Sequence, residues 1–154
     1  MSSDWIKARA QQIKNKDSQE RSDKDWNLYA EREIKSKAPA LWKRTVDLTL
    51  TFAREFNASF PEKERRMDTI QDVPRGVLLH RSYYPAVRIR AEYFEDRQVL
   101  AVSIVRTKDQ SSNPSEETSE HYPILQSDGV ILWDGSTDHE SLARSFVEPF
   151  FADL

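Results

Sequence analysis

Ala86-Val87-Arg88-Ile89-Arg90-Ala91-Glu92-Tyr93-Phe94 is followed, after a short polar break, by Val99-Leu100-Ala101-Val102-Ser103-Ile104-Val105. Both runs are rich in β-branched and aromatic residues, and the first alternates apolar with polar side chains. This period of two belongs to a half-buried strand. Pairing Phe94 with Arg97 sets Val87, Ile89 and Ala91 against Ile104, Val102 and Leu100 on one side. A three-residue loop would set Arg88 and Arg90 against Ile104 and Val102 instead. The first register buries carbon against carbon and is the expected one.

Working upstream, Gly76 opens a further strand, Val77-Leu78-Leu79-His80-Arg81. Residues 62–73 read either as an edge strand, from the Met67, Thr69, Gln71 alternation, or as a linker. Downstream, residues 108–120 (KDQSSNPSEETSE) hold no apolar side chain and predict a mobile, solvated loop. A second hairpin follows, with strands at 121–125 and 130–133 around Asp128-Gly129, a two-residue turn signal. Thr137 and Glu140 match a capping box, opening a helix with Leu142, Phe146, Phe150 and Leu154 at steps of four. Pro149 should kink or interrupt it.

Before Phe60 there is no strand-like alternation, and this part reads as helical. Three segments are expected: about 3–15, one beginning at Ser22, and one beginning at Pro39. Asn15-Lys16-Asp17-Ser18 is the expected interruption between the first two. The third carries Leu41, Trp42, Val46, Thr49, Phe52, Ala53 and Phe56 at helical spacing. The fold class is therefore α+β: N-terminal helices, an antiparallel sheet of about five strands built from hairpins, and a C-terminal helix packed on the sheet. The expected organisation is a polar helical arm over 1–38 and an α+β domain over 39–154, a single domain overall.

The chain has 154 residues, 38% of them apolar and 32% charged, with a formal charge of −3. That is enough for one core and argues against a surface built around nucleic-acid phosphates. The absence of cysteine excludes disulfides, thiolate metal sites and a thiol nucleophile. The start becomes charged at once and no long apolar run occurs, so neither a secretory signal nor a membrane span is expected, and the cytoplasm is the expected location. The glycines at 76, 129 and 135 cannot form a phosphate loop. His139-Glu140-Ser141-Leu142-Ala143 has alanine where a zinc helix needs its second histidine. The run 134–138 lacks the glycine and the distal acid of a calcium loop. His80, His121 and His139 have no ligand spacing, and a Ser-His-Asp arrangement has no sequence support. No metal, cofactor or catalytic residue is predicted.

Two surfaces emerge. His80, Arg88 and Arg90 fall on the polar side of the sheet, where paired guanidiniums would receive a carboxylate or phosphate. Against this stands a plain solvated face with Arg88 or Arg90 bridged to Glu92. The second surface is the N-terminal arm. Trp5, Trp26, Tyr29 and Ile34 are large apolar residues in a very polar stretch, too sparse to fold alone, so the arm must lie either on its own sheet or on another chain, and aromatics of this kind anchor interfaces. Lys7, Arg9, Lys14 and Lys16 make its beginning basic, and Asp17, Glu20, Asp23 and Asp25 follow. Residues 14–25 have no large apolar side chain, which disfavours an extended coiled coil. The expected function is a non-catalytic binding or interaction module that self-associates, or meets another protein, through its N-terminal helices. The alternative is a small-molecule binding protein or enzyme with a site between helix and sheet, near Trp42, Phe52, Phe56, Tyr83, Tyr93 and Trp133. Nucleic acid and membrane are not expected partners.

Overall fold

The computed structural model describes residues 3–152 and 154. Helix α1 (Asp4–Ala58) is followed by strands β1 (Thr69–Val73), β2 (Gly76–Arg81), β3 (Ala86–Phe94), β4 (Val99–Thr107) and β5 (Ser115–His121). A two-stranded ribbon, β6 (Pro123–Leu125) with β7 (Ile131–Trp133), precedes helix α2 (His139–Val147) and a 3-10 turn, Glu148–Phe150. The five-stranded sheet runs in the order β1-β2-β3-β4-β5, antiparallel throughout. The chain divides into two compact units, Met1–Glu33 and Ile34–Leu154.

The α+β architecture and the antiparallel sheet follow the sequence reading, but several details differ. One helix, α1, stands where three were expected. The helix runs through residues 15–18 without a break; Asn15 accepts from Gln11 at 2.9 Å and Lys16 lies 4.0 Å from Glu20, pairs that add a little support one turn apart. Pro39 lies inside the helix instead of at its start. The buried stripe Ile34, Ala38, Trp42, Val46, Leu50, Ala53 and Phe56 runs through it without changing phase. Burial on both sides of the proline offsets its missing N–H and ring clash, about 3 kcal/mol in a helix interior. Thr45 and Thr49, both fully buried, donate back to the carbonyls of Leu41 and Thr45 at 3.0 and 2.7 Å.

The expected loop over 108–120 is corrected in its second half. β5 pairs there with β4 although six of its seven residues are exposed. An edge strand draws its stability from backbone hydrogen bonds, and its charges guard the open edge. Residues 69–73 resolve as the other edge strand, β1. The sheet therefore consists of β1 to β5, and residues 123–133 form a separate ribbon.

The predicted face of β3 is the buried one: Val87, Ile89 and Ala91 are at most 1% exposed. The direct partners shift by two positions, with Phe94 opposite Val99, Ile89 opposite Ile104 and Ala91 opposite Val102. A four-residue connection keeps the same parity, so the faces do not change. The turn before β7 also corrects: Gly129 N–H donates to Gln126 at 3.0 Å with Gly129 at φ 87°, a three-residue loop in place of two. The cap of α2 is Asp138, not Thr137; its carboxylate accepts from Ser141 N–H at 2.7 Å. That bond is the main cause holding the Asp138 carboxyl below the usual aspartate range. Thr137 bridges to Trp133 instead.

The core of the second unit is joined by aromatic rings. Trp42 stands edge-on to Trp133 at 6.0 Å and to Phe146 at 6.2 Å, and Tyr93 meets Trp133 at 5.6 Å. Trp42 Nε1 donates to Arg75 O at 2.8 Å, tying α1 to the turn before β2. Gly76 is required there, since a Cβ would lie 1.8 Å from Ala91 O. α2 buries Leu142, Ala143, Phe146 and Val147. Past Pro149, Phe150 is fully buried against Phe56, ring centres 6.1 Å apart.

Candidate functional site

His80 and Arg88 are direct cross-strand partners, and Arg90 lies opposite Leu78 on the same face. The predicted residues are therefore brought together. The same face, however, carries acids. Arg90 Nε binds Glu92 Oε1 at 2.8 Å, and Glu116, accepting from Ser103 at 3.0 Å, lies opposite Val105. Glu120, opposite Ala101, adds a third carboxylate. Two guanidiniums among three carboxylates make a mixed, solvated face, with one of the two already satisfied by its neighbour.

Between α1 and the sheet, within the second unit, lies a cleft of about 660 Å³ whose lining combines Trp42, Val46, Tyr93 and Gly76 with the charged residues Lys43, Arg75, Asp47, Asp72, Glu95 and Asp96. Burial first, and the Glu95 carboxylate second, push the Tyr93 phenol up to about 12. Of the aromatics expected around such a site, Trp42 and Tyr93 line it. Phe52 and Phe56 line a separate hollow with Phe151. Trp133 is wholly buried and Tyr83 is exposed.

The first unit is different in kind. Every described residue from Ser3 to Tyr29 is exposed. Trp5 is 64% exposed, Ile13 60%, Trp26 41% and Tyr29 51%. Trp26 and Tyr29 touch each other, ring centres 5.8 Å apart. Ile34 corrects the prediction: at 8% exposure it opens the core stripe of the second unit and is not an interface residue. Its four-residue step to Ala38 and Trp42, not its distance from Tyr29, is the signal that decides its place.

A last cluster was not legible in sequence. At the end of β5, His121 Nδ1 lies 2.6 Å from Asp134 Oδ2, and its Nε2 lies 3.0 Å from Ser119 Oγ. Asp134, at φ 56° just after β7, also accepts from Tyr122 N–H at 2.9 Å and donates its own N–H to Tyr122 O at 2.7 Å. The two-residue step from Ser119 to His121 puts both side chains on one face of a strand. A loop reading of residues 108–120 conceals that step, and Asp134 arrives from another hairpin. Among the described residues, no group of three histidine or carboxylate side chains is placed to hold a metal ion. No described helix is long and apolar enough to cross a membrane.

Compared with protein-family models, curated proteins and solved structures, the chain matches none.

Proposed function

We propose that the protein is an interaction module that self-associates through the first part of α1, residues 4–33, with a second copy in antiparallel orientation. The observation that carries this reading is the exposure of Trp5, Ile13, Trp26 and Tyr29 on a helix none of whose residues before Ile34 is buried. A helix gains little from propensity alone. Ordering each residue costs about 1–2 kcal/mol of backbone entropy, and burial of an apolar face is what normally offsets it. A partner supplies that burial.

Charge selects the partner and its direction. Residues 4–16 carry four basic side chains against one acid, and residues 17–33 carry six acids against three bases. The steps of four and three from Trp5 trace one helical stripe: Trp5, Arg9, Gln12, Lys16, Gln19, Asp23, Trp26 and Ala30. A parallel pair would stack Arg9 on Arg9, Lys16 on Lys16 and Asp23 on Asp23. An antiparallel pair centred near residues 17–20 sets each basic half beside the other copy's acidic half. It also brings Arg9 to the level of the other copy's Trp26, where a guanidinium can lie over an indole face. The polar middle keeps the contact short and reversible. A cytoplasmic setting fits this reading and the cysteine-free composition.

Sedimentation velocity of full-length Arg9→Glu/Lys16→Glu tests it. The doubly reversed chain is expected to be monomeric where the parent dimerises. Mixing it with Glu20→Lys/Asp23→Lys should restore a dimer. A reversed chain that dimerises as well as the parent, with no gain on mixing, would contradict the reading.

A further inference from the structure

We propose that Ser119, His121 and Asp134 form a nucleophilic triad that cleaves small, activated carboxylic esters at the open edge of the sheet. The three side chains are bonded in series, Oγ to Nε2 at 3.0 Å and Nδ1 to Oδ2 at 2.6 Å, within the reach a nucleophile, its base and the orienting acid require. Asp134 is itself held from two sides by Tyr122: its Oδ1 accepts the amide N–H, and its own amide donates to the carbonyl. Its Oδ2 is left for the imidazole. Facing a carboxylate, Nδ1 carries the proton, and Nε2 then presents its lone pair to the serine hydroxyl. This is the tautomer a general base needs.

The strand provides the rest. Ser119 and His121 lie opposite Val102 and Leu100, both buried, so the backbone beneath them is anchored in the core. Ser119 itself is exposed. β5 is an edge strand, and such a strand turns alternate backbone N–H groups away from its neighbour. Either the amide of Ser119 or those on both sides of it therefore face outward, away from the ladder with β4. Such donors are what stabilise a developing oxyanion.

In the reaction, Ser119 Oγ bonds to the ester carbonyl carbon while its proton passes to His121 Nε2. The ester C–O bond then breaks, and the departing alkoxide takes that proton. Water, deprotonated by Nε2, attacks the acyl-serine and releases the carboxylic acid, restoring the hydroxyl. The Asp134 carboxylate stabilises the imidazolium between the steps. Ser119 borders a hollow of about 370 Å³ with Arg90, Ser103 and Thr118 and is itself exposed, so good leaving groups on small acyl chains are the substrates, and amides are not.

The test treats the full-length chain with a fluorophosphonate and maps the adduct by mass spectrometry, alongside p-nitrophenyl acetate turnover. Ser115 lies on the same strand and face, with no imidazole partner among its hydrogen bonds, and serves as the internal control. Ser119 should be modified at least 100-fold faster than Ser115, and His121→Gln should remove that difference. Ser119→Ala should abolish turnover without changing the melting temperature. If Ser119 reacts no faster than Ser115, or if Ser119→Ala turns over the ester like the parent, the cluster is only a clip between β5 and the ribbon. The proposal then fails.

Discussion

Arg81 is a charged side chain wholly buried in the core of the second unit. It has no exposed surface, and its guanidinium donates to Pro85 O and Phe150 O at 3.0 Å and to Arg65 O at 3.2 Å while lying over the Phe150 ring. One side chain thus joins the end of β2 to three other segments. Arg81→Met keeps the volume but strips these carbonyls of their donor. A loss of about 3 kcal/mol or more is expected in urea denaturation, and an unshifted midpoint would contradict the assignment. Arg81→Lys should recover little, because a single ammonium cannot reproduce the planar fork. Position 81 shares the strand parity of the buried Val77 and Leu79, but the sequence does not reveal its partners, of which only Pro85 is local while Arg65 and Phe150 lie 16 and 69 residues away. Tyr93 makes a second prediction. Its folded phenol is raised to about 12 by burial and by Glu95, against about 10 in an unfolded chain. Between those values the unfolded chain gives up a proton that the fold retains, so stability should fall as pH rises from about 10 to about 12. Tyr93→Phe should flatten that decline; an identical alkaline slope in both chains would sink it.

At the scale of elements, hydrophobic period was legible wherever one face is buried and unreadable where none is. β3 and β4 could be read to the correct face because their alternate residues enter the core. β5 could not, since an exposed edge strand is specified by its neighbour's backbone and not by its own side chains. α1 failed in the opposite sense. The break expected before Pro39 is a local rule, overridden by a buried stripe that continues on both sides of the proline. That override has a measurable cost. Pro39→Ala restores an N–H donor to the carbonyl four residues earlier, and even after the added freedom of the unfolded chain it should stabilise by about 1–2 kcal/mol. A lowered melting temperature would mean that the proline ring itself is needed against the cleft it lines.

At the scale of the whole molecule, the two units differ in what holds them. Residues 34–154 carry a ring-lined core, a helix capped by Asp138 and a sheet with one buried face, features a sequence announces through period and burial. Residues up to 33 carry aromatic side chains and segregated charge with no core of their own. The composition of that stretch motivates the proposed partner, and the antiparallel direction proposed for it is argued from the continuous helix and the stripe from Trp5 to Ala30. His80, Arg88 and Arg90 were legible as neighbours from the pleat alone. Their acidic company on β5 was not, because that strand was unread. The most direct measurement is the solution mass of the full-length chain across a micromolar concentration series. The chain weighs 18.0 kDa; pairing through residues 4–33 should raise the mass toward twice that with concentration, and Trp5→Ser/Trp26→Ser should abolish the rise. A constant mass of one chain throughout, or an assembly indifferent to those two substitutions, would contradict it.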